Sequence, residues 1–268
     1  MSPQIAVAAT APFGADVLER LAKSHDISSV LTRPDAPAGR GRKLTSPPAK
    51  ETAERLGLTV LQPEHLELGL ELGAPTVVIA AYGKLIPEEL LGERSWLNVH
   101  PSLLPRWRGA APVERSLMAG DVETGVTIHE TVKALDAGPV LAQRAFLVQP
   151  EDDAGDVYAR AAAVAAELLD EVLADPGIAP RPQAEAGVTY ADRIGPDDRV
   201  LDLSRPAREL VDLVRALSPH IGARAELEGR SITIWRARVG EDGSFEPVEL
   251  QPDGGRRMEY EAWLRGLR

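Results

Sequence analysis

Thr76-Val77-Val78-Ile79-Ala80-Ala81 and, a little further on, Trp96-Leu97-Asn98-Val99-His100-Pro101 decide the architecture. The first is an unbroken apolar run, which in a sheet means a strand covered on both faces, the situation of a central parallel strand. The second predicts a short strand over Trp96–Val99 that stops at proline. Residues two apart in an extended chain share a face, so Asn98 and His100 project together. At the carboxyl end of a strand in a parallel sheet, that pair lines the crevice where open α/β sheets hold their ligands.

Working outward, strands and helices alternate. Ile5–Ala9 predicts a strand, and Ala15–Lys23 a helix with Val17, Leu18 and Leu21 on one face. Ile27–Leu31 is a second strand. Thr32 to Pro47 is expected as a long loop, broken by prolines and glycines, before a helix over Pro48–Leu56. Downstream, Gly125–Thr131 is rich in β-branched residues, as strands are. Asp156–Leu173 carries Val157, Ala161, Val164, Leu168 and Val172 along one helical stripe. Such alternation predicts an α/β domain on a parallel sheet. From about residue 196 the pattern changes to a helix at Ala207–Leu217 and two β runs, Ala223–Leu227 and Ser231–Val239. The expected division is a domain over 1–180, a linker over 181–195 and a small β-rich domain over 196–268. No internal repeat is present.

Composition narrows the function. The 268 residues are 44% hydrophobic and 26% charged, ordinary for a globular chain with room for two cores. No apolar run reaches the roughly 18 residues a bilayer span needs, and no basic-then-apolar leader opens the chain. Cysteine is absent, which removes disulfides, thiolate metal sites and a thiol nucleophile. A reducing cytoplasm is the expected location, with no membrane partner. The net charge of −11 argues against general nucleic-acid binding, DNA included. It leaves room for local basic patches: Arg33, Arg40, Arg42, Lys43 and Lys50 against Asp35, then Arg106, Arg108 and Arg115 against Glu114.

Asn98 is the sole asparagine of the chain. A carboxamide donates to an oxyanion without carrying charge, and an imidazole exchanges protons near neutral pH. The two together suit acyl transfer to an amine, though a turn cap beside a half-buried histidine would give the same pair. His25, His65, His129 and His220 show no ligand spacing and no metal is expected; His129 beside Glu130 reads as structural.

The longer string Leu97-Asn98-Val99-His100-Pro101-Ser102-Leu103-Leu104-Pro105-Arg106-Trp107-Arg108-Gly109-Ala110-Ala111-Pro112 resembles the signature of the folate-dependent formyltransferases. A second block, Thr124-Gly125-Val126-Thr127-Ile128-His129 followed by Leu135-Asp136-Ala137-Gly138-Pro139, is similar to that family's next one. The resemblance implies a Rossmann-like catalytic domain and 10-formyltetrahydrofolate as formyl donor. It also implies Asn98, His100 and Asp136 as a catalytic trio. Tyr82-Gly83-Lys84-Leu85-Ile86 resembles the segment whose backbone holds the pterin ring, and Ser102-Leu103-Leu104-Pro105 the family's other folate-contacting run.

The acceptor is approached through three further likenesses. Arg106–Pro112, the loop Arg33–Leu44 and the strings Val188-Thr189-Tyr190-Ala191 and Leu250-Gln251-Pro252 resemble the branch of the family whose acceptor is the α-amino group on charged initiator tRNA. That likeness implies Arg33, Arg40, Arg42 and Lys43 as tRNA contacts. Two departures stand out. Ala9-Thr10-Ala11-Pro12-Phe13-Gly14 replaces the family's Gly-Thr-Pro-type loop after the first strand, and the C-terminal domain, expected to be a reduced OB-like barrel, is short. The alternatives are a formyltransferase for a small amine such as a sugar nucleotide, and a folate-binding module without catalysis.

Overall fold

The computed structural model describes residues 4–38, 41–175 and 177–267. Its order is β1 (Ile5–Ala9), α1 (Pro12–Leu21), β2 (Ile27–Leu31), β3 (Ala36–Ala38), β4 (Lys43–Thr45), α2 (Pro48–Arg55), β5 (Val60–Leu61), β6 (Thr76–Ala80), α3 (Glu88–Leu91) and β7 (Ser95–His100). There follow β8 (Arg108–Gly109), α4 (Pro112–Met118), β9 (Glu123–Glu130), β10 (Val140–Leu147), α5 (Ala154–Ala174) and β11 (Tyr190–Ala191). The last part holds α6 (Ala207–Leu217), β12 (Ala223–Leu227), β13 (Arg230–Val239), β14 (Phe245–Pro252), β15 (Met258–Glu259) and α7 (Tyr260–Arg265). Two compact units result. One comprises Met1–Arg108, Gly125–Ala145 and Ala159–Thr189, the other Gly109–Thr124, Phe146–Tyr158 and Tyr190–Arg268.

The first unit is built on a sheet of order β10-β9-β7-β6-β1-β2-β5. Strands β5, β2, β1, β6 and β7 pair in parallel, as the apolar runs predict. The expected parallel sheet is present as the five-stranded core, and β9 adds to it antiparallel to β7. Val77, Val78 and Ala80 of β6 and all of β1 are buried, consistent with cover on both faces. The chain goes from β1 to β2 on one side and returns to β6 on the other, which makes the carboxyl ends of β1 and β6 the topological switch point of the sheet.

Local chemistry explains the shifted boundaries. α1 starts at Pro12, ahead of the expected Ala15, because proline is pre-shaped for a helix's first position and needs no N–H partner there. Gly14 sits where α1 meets β6, and a Cβ there would collide with the Ala80 carbonyl oxygen. The expected loop over 32–47 contains the β3–β4 antiparallel hairpin, pairing Ala36 with Thr45 and Ala38 with Lys43. Its prolines hide it from a strand pattern, since proline is tolerated at strand edges.

The second unit carries an antiparallel sheet of order β12-β13-β14-β15. Helix α6 buries Leu210, Leu213, Val214 and Leu217 with Ile232, Ile234, Leu250 and Trp263. The β13–β14 connection is a tight turn, closed by the Gly240 N–H donating to the Ser244 carbonyl at 2.8 Å.

Candidate active site

Asn98 and His100 occupy the end of β7, and the β9 register sets His129 opposite Asn98 and Thr127 opposite His100. All four alternate onto one face. Asp136 reaches the same place from the turn after β9, with a left-handed backbone at φ 47° that non-glycine residues adopt infrequently. Gly138 lets this turn close, because a Cβ there would strike the Glu130 carbonyl.

The hydrogen bonds fix the protonation pattern. His100 Nε2 lies 2.7 Å from the Trp107 carbonyl oxygen. A carbonyl only accepts, so Nε2 carries a proton and Nδ1 is the nitrogen available for exchange. Nδ1 faces Asp136 Oδ2 at 3.7 Å, with the two side chains only 5% and 10% exposed. His129 Nδ1 likewise donates to the Glu130 carbonyl at 2.8 Å. Burial drives the His129 pKa down to about 4, with the charges of His100 and Arg108 pushing the same way against the Glu130 bond and the Asp136 charge. The ring is therefore neutral at pH 7, and its bare Nε2 accepts from Asn98 Nδ2 at 3.1 Å.

Asn98 Nδ2 also donates to Asp136 Oδ1 at 3.1 Å. Both hydrogens of the amide are thus engaged, and reversing the amide would set its oxygen against a carboxylate and a lone pair. The orientation is unique. His129, expected to be structural, is what fixes it. The signal that finds His129 is the alternation within Gly125–Thr131 combined with an antiparallel β7–β9 register, and the second of these is not visible in a single segment.

The expected folate segment follows β6 at the switch point. The Ala11 N–H donates to the Ala81 carbonyl at 3.2 Å, and Thr10 Oγ1 to the Tyr82 carbonyl at 2.8 Å. The departure Ala9–Gly14 therefore braces this segment. Tyr82 is buried, and its hydroxyl has no hydrogen-bond partner among the described residues. Gly83 has φ 76°, and Lys84 Nζ donates to the carbonyls of Pro63 and Glu64 at 3.1 and 2.8 Å. Ile86 packs against a buried cluster that includes Tyr82 and Leu90, whereas Leu85 is 81% exposed.

Ser102–Pro105 is stapled from below. Thr127 Oγ1 donates to the Ser102 carbonyl at 2.7 Å and accepts from the Leu104 N–H at 3.1 Å. Gln143 Nε2 donates to the Leu104 carbonyl at 3.0 Å. Ser102 Oγ donates to the Arg106 carbonyl at 2.7 Å, so its hydroxyl proton already has an acceptor. Leu103 lies against Gly125, and Leu104–Pro105 is a cis peptide.

The expected basic contacts separate. Arg33 lies two residues past the end of β2, beside Gly83, where an added Cβ would come within 3.9 Å of its Nη1. Arg42 and Lys43 are exposed on the β3–β4 hairpin, Arg42 with φ 46°. Arg40 lies outside the described residues. Among the described residues no group of three or more His, Cys, Asp or Glu is arranged to hold a metal ion, and no helix is long and apolar enough to cross a membrane.

Comparison with known proteins follows this geometry. The formyl transferase model matches residues 4–173, and the model of the formyl transferase C-terminal domain matches 193–247. The methionyl-tRNA formyltransferase of Halorhodospira halophila is 39% identical over 303 aligned positions, covering all of this chain and 97% of the relative. Among solved structures, the methionyl-tRNA formyltransferase of Clostridium thermocellum superposes with a TM-score of 0.65 at 14% identity, over 93% of this chain and 98% of that one. The N-formyltransferase of Helicobacter canadensis, in complex with folinic acid and dTDP-3-aminofucose, gives 0.67 at 17% identity, over 90% and 88%. A Rossmann-like formyl transferase fold, a strand-end Asn98–His100 pair and full-length similarity coincide, and the chain belongs to the formyl transferase family, with methionyl-tRNA formyltransferases among its relatives.

Proposed function

We propose that the chain transfers the formyl group of 10-formyltetrahydrofolate to the α-amino group of methionyl initiator tRNA, preparing it for translation initiation. The observation that carries the chemistry is the convergence of the Asn98 amide, the exchangeable Nδ1 of His100 and the Asp136 carboxylate in one nearly dry cluster. The full-length likeness to methionyl-tRNA formyltransferases supports the acceptor.

The donor's site is the switch-point segment. Its residues fit a flat heterocycle: turning backbone at Ala81 and Gly83, an uncovered apolar side chain at Leu85, and Ile86 anchored in the core. Ser102–Pro105 contributes its backbone and the Leu103 and Leu104 side chains. The donor supplies an electrophilic formyl carbon. Asn98 meets the negative charge that grows on the formyl oxygen, by exchanging one present acceptor for that oxygen. As the amine nitrogen bonds to the formyl carbon, His100 Nδ1 takes the proton that the amine loses, and Asp136 faces the imidazolium so formed. The proton then passes to N10 of the donor as the N10–formyl bond breaks and tetrahydrofolate leaves. Trp107 keeps the other ring nitrogen occupied, so proton exchange runs through a single atom. His129 stays neutral and orients Asn98.

Arg42 and Lys43 form the exposed end of a phosphate-contacting hairpin, and Arg40 is assigned with them from sequence. Residues 1–180 serve as the catalytic domain, 181–195 as a linker and 196–268 as the small domain, a division supported by the gap between the two family matches. The reaction belongs in the cytoplasm, where the tRNA is charged. The test is tetrahydrofolate release, followed by absorbance, with charged initiator tRNA, with a sugar-nucleotide amine and with no acceptor. Release is expected with the tRNA alone. Faster release with the small amine would replace the acceptor, and no release with any acceptor would leave a binding module.

A further inference from the structure

Asp136 sits on a turn that the core does little to hold. Its backbone is left-handed, and the apolar neighbours Val132 and Leu135 are 38% and 54% exposed. Backbone bonds close the turn, the Glu130 N–H donating to the Pro139 carbonyl at 3.0 Å and the Ala137 N–H to the Ala134 carbonyl at 3.3 Å, and a side chain from the connecting segment clamps it further. Gln183 Nε2 donates to the carbonyl oxygens of Asp136 and Gly138, each at 2.8 Å. Gln183 Oε1 in turn accepts from Arg108 Nε and Nη2 at 3.1 and 2.6 Å. The amide cannot reverse: a guanidinium only donates and the two carbonyls only accept. Gln183 falls between the two stretches that the family models match.

The same segment reaches the other half of the pair. Thr189 Oγ1 accepts from the Trp107 N–H at 2.9 Å, and the Trp107 carbonyl is the acceptor of His100 Nε2 at 2.7 Å. The Arg108 N–H donates to the Thr189 carbonyl at 2.9 Å. A stretch that sequence marks as a linker thus holds the backbone on which Asp136 rides and the carbonyl to which His100 is tied.

We propose that Gln183 is a positioning residue for formyl transfer, setting Asp136 against His100 and Asn98 by clamping the carbonyls of its turn. The proposal rests on the catalytic role assigned to Asp136 above. It acts through geometry alone, so removal of the clamp lowers turnover without weakening either substrate's binding.

Two replacements separate the donor function from bulk. Gln183→Met keeps the length and removes both polar contacts. Gln183→Glu keeps the acceptor for Arg108 but turns a carboxylate oxygen toward two carbonyls, which forces the turn open. Formyl transfer to charged methionyl initiator tRNA is measured with kcat and both KM values resolved, and folding is checked by circular dichroism. Loss of groups that orient the ligands of metal centres costs on the order of 10–100-fold, and the same order is taken for this site. That drop is expected in kcat for both variants, with each KM within about twofold of the parent, the signature of interactions that act in the transition state.

The second readout is a double-mutant cycle with Asp136→Asn, measured by single turnover. A positioning role predicts that Gln183→Met adds almost nothing once the carboxylate is gone; a general structural role predicts additive losses. Normal kcat in Gln183→Met, a change confined to KM, or full additivity overturns the proposal. Should Gln183→Glu fail to fold, Gln183→Met decides alone. Normal turnover in Asp136→Asn would remove the catalytic role of Asp136 and this proposal with it. Impaired Asp136→Asn beside normal Gln183 variants would remove this proposal only.

Discussion

The strand-end cluster and the β3–β4 hairpin use polar groups in opposite ways. At the cluster, Asn98, His100 and His129 each lie within hydrogen-bond or ion-pair reach of Asp136, Asn98 also bonds His129, and three of the four expose little surface. On the hairpin, Arg42 and Lys43 stand in solvent with no side-chain partner among the described residues. Groups pinned in a dry cluster need little reorganisation when charge develops at a reacting centre, here the exchange of one Asn98 acceptor for the formyl oxygen, which is the condition for electrostatic catalysis. Exposed cations are suited to a polyanion that arrives from outside, where the gain comes from counterion release. The hairpin's base is nonetheless fixed: Asp35 accepts from Lys50 Nζ at 2.9 and 2.8 Å and from Gln62 Nε2 at 2.9 Å. The Gln62 and Lys50 hydrogen bonds hold the Asp35 carboxyl below the usual range. The molecule therefore offers a rigid centre and a charged arm on an anchored root.

The largest expected effect breaks the rigid side. Asn98→Ala, removing one oxyanion donor, lowers kcat by about 10²–10³. His100→Ala and Asp136→Ala fall at least as far, and the double variants fall little further because the three act as a unit. Rates measured on folded protein decide it. Near-parental turnover in His100→Ala would sink the division of labour.

Next in size is the proton balance of His129. The folded ring stays neutral down to about pH 4, whereas the unfolded ring protonates near 6.5. Between those values the unfolded chain holds the extra proton, so stability is intact above about 6.5 and is lost as the pH falls toward 4. The slope is at most about 1.4 kcal/mol per pH unit. Urea unfolding of the parent and of His129→Gln across this range should differ by that slope, and parallel curves would mean that the ring titrates normally.

Arg42→Ala tests the exposed side. It should raise KM for charged initiator tRNA several-fold, leave folate affinity unchanged and reduce the salt slope of tRNA binding by about one unit. Arg42→Lys should recover part of the loss if the guanidinium grips a phosphate with two N–H groups. A silent Arg42→Ala with a flat salt profile would transfer the acceptor role to a small amine.

Legibility follows the same divide. Asn98 and His100 were readable because a period of two within one strand needs no knowledge of the rest of the sheet, and β6 because a wholly apolar run has one natural home. α6 was readable to the residue, since its apolar stripe starts right after Pro206 and ends before Ser218-Pro219. His129 and Gln183 were not, because what they do depends on a register and a turn contributed by distant segments. The β3–β4 hairpin was hidden by its own prolines, and Arg33 lies before the hairpin, two residues past the end of β2, whereas Arg42 is on the hairpin itself.

Tyr82 is the exception to the contrast, a group that is buried and yet unsatisfied, and it sets the smallest prediction. Burial pushes its pKa up to about 12, so the hydroxyl keeps its proton and remains a donor with no acceptor among the described residues. A buried polar atom without a partner costs roughly 1–3 kcal/mol in desolvation. Tyr82→Phe keeps the ring and its packing against Ile79, Leu90 and Trp96, and removes only the oxygen. The variant should therefore be as stable as the parent or more so, by up to about 1 kcal/mol in urea unfolding, with formyl transfer unchanged. A loss of stability would mean that the hydroxyl has an acceptor in solution. Unchanged stability with weaker binding of a folate analogue, measured by calorimetry, would mean that the acceptor arrives with the donor, and Tyr82 would then belong with the buried, partnered groups of the active centre.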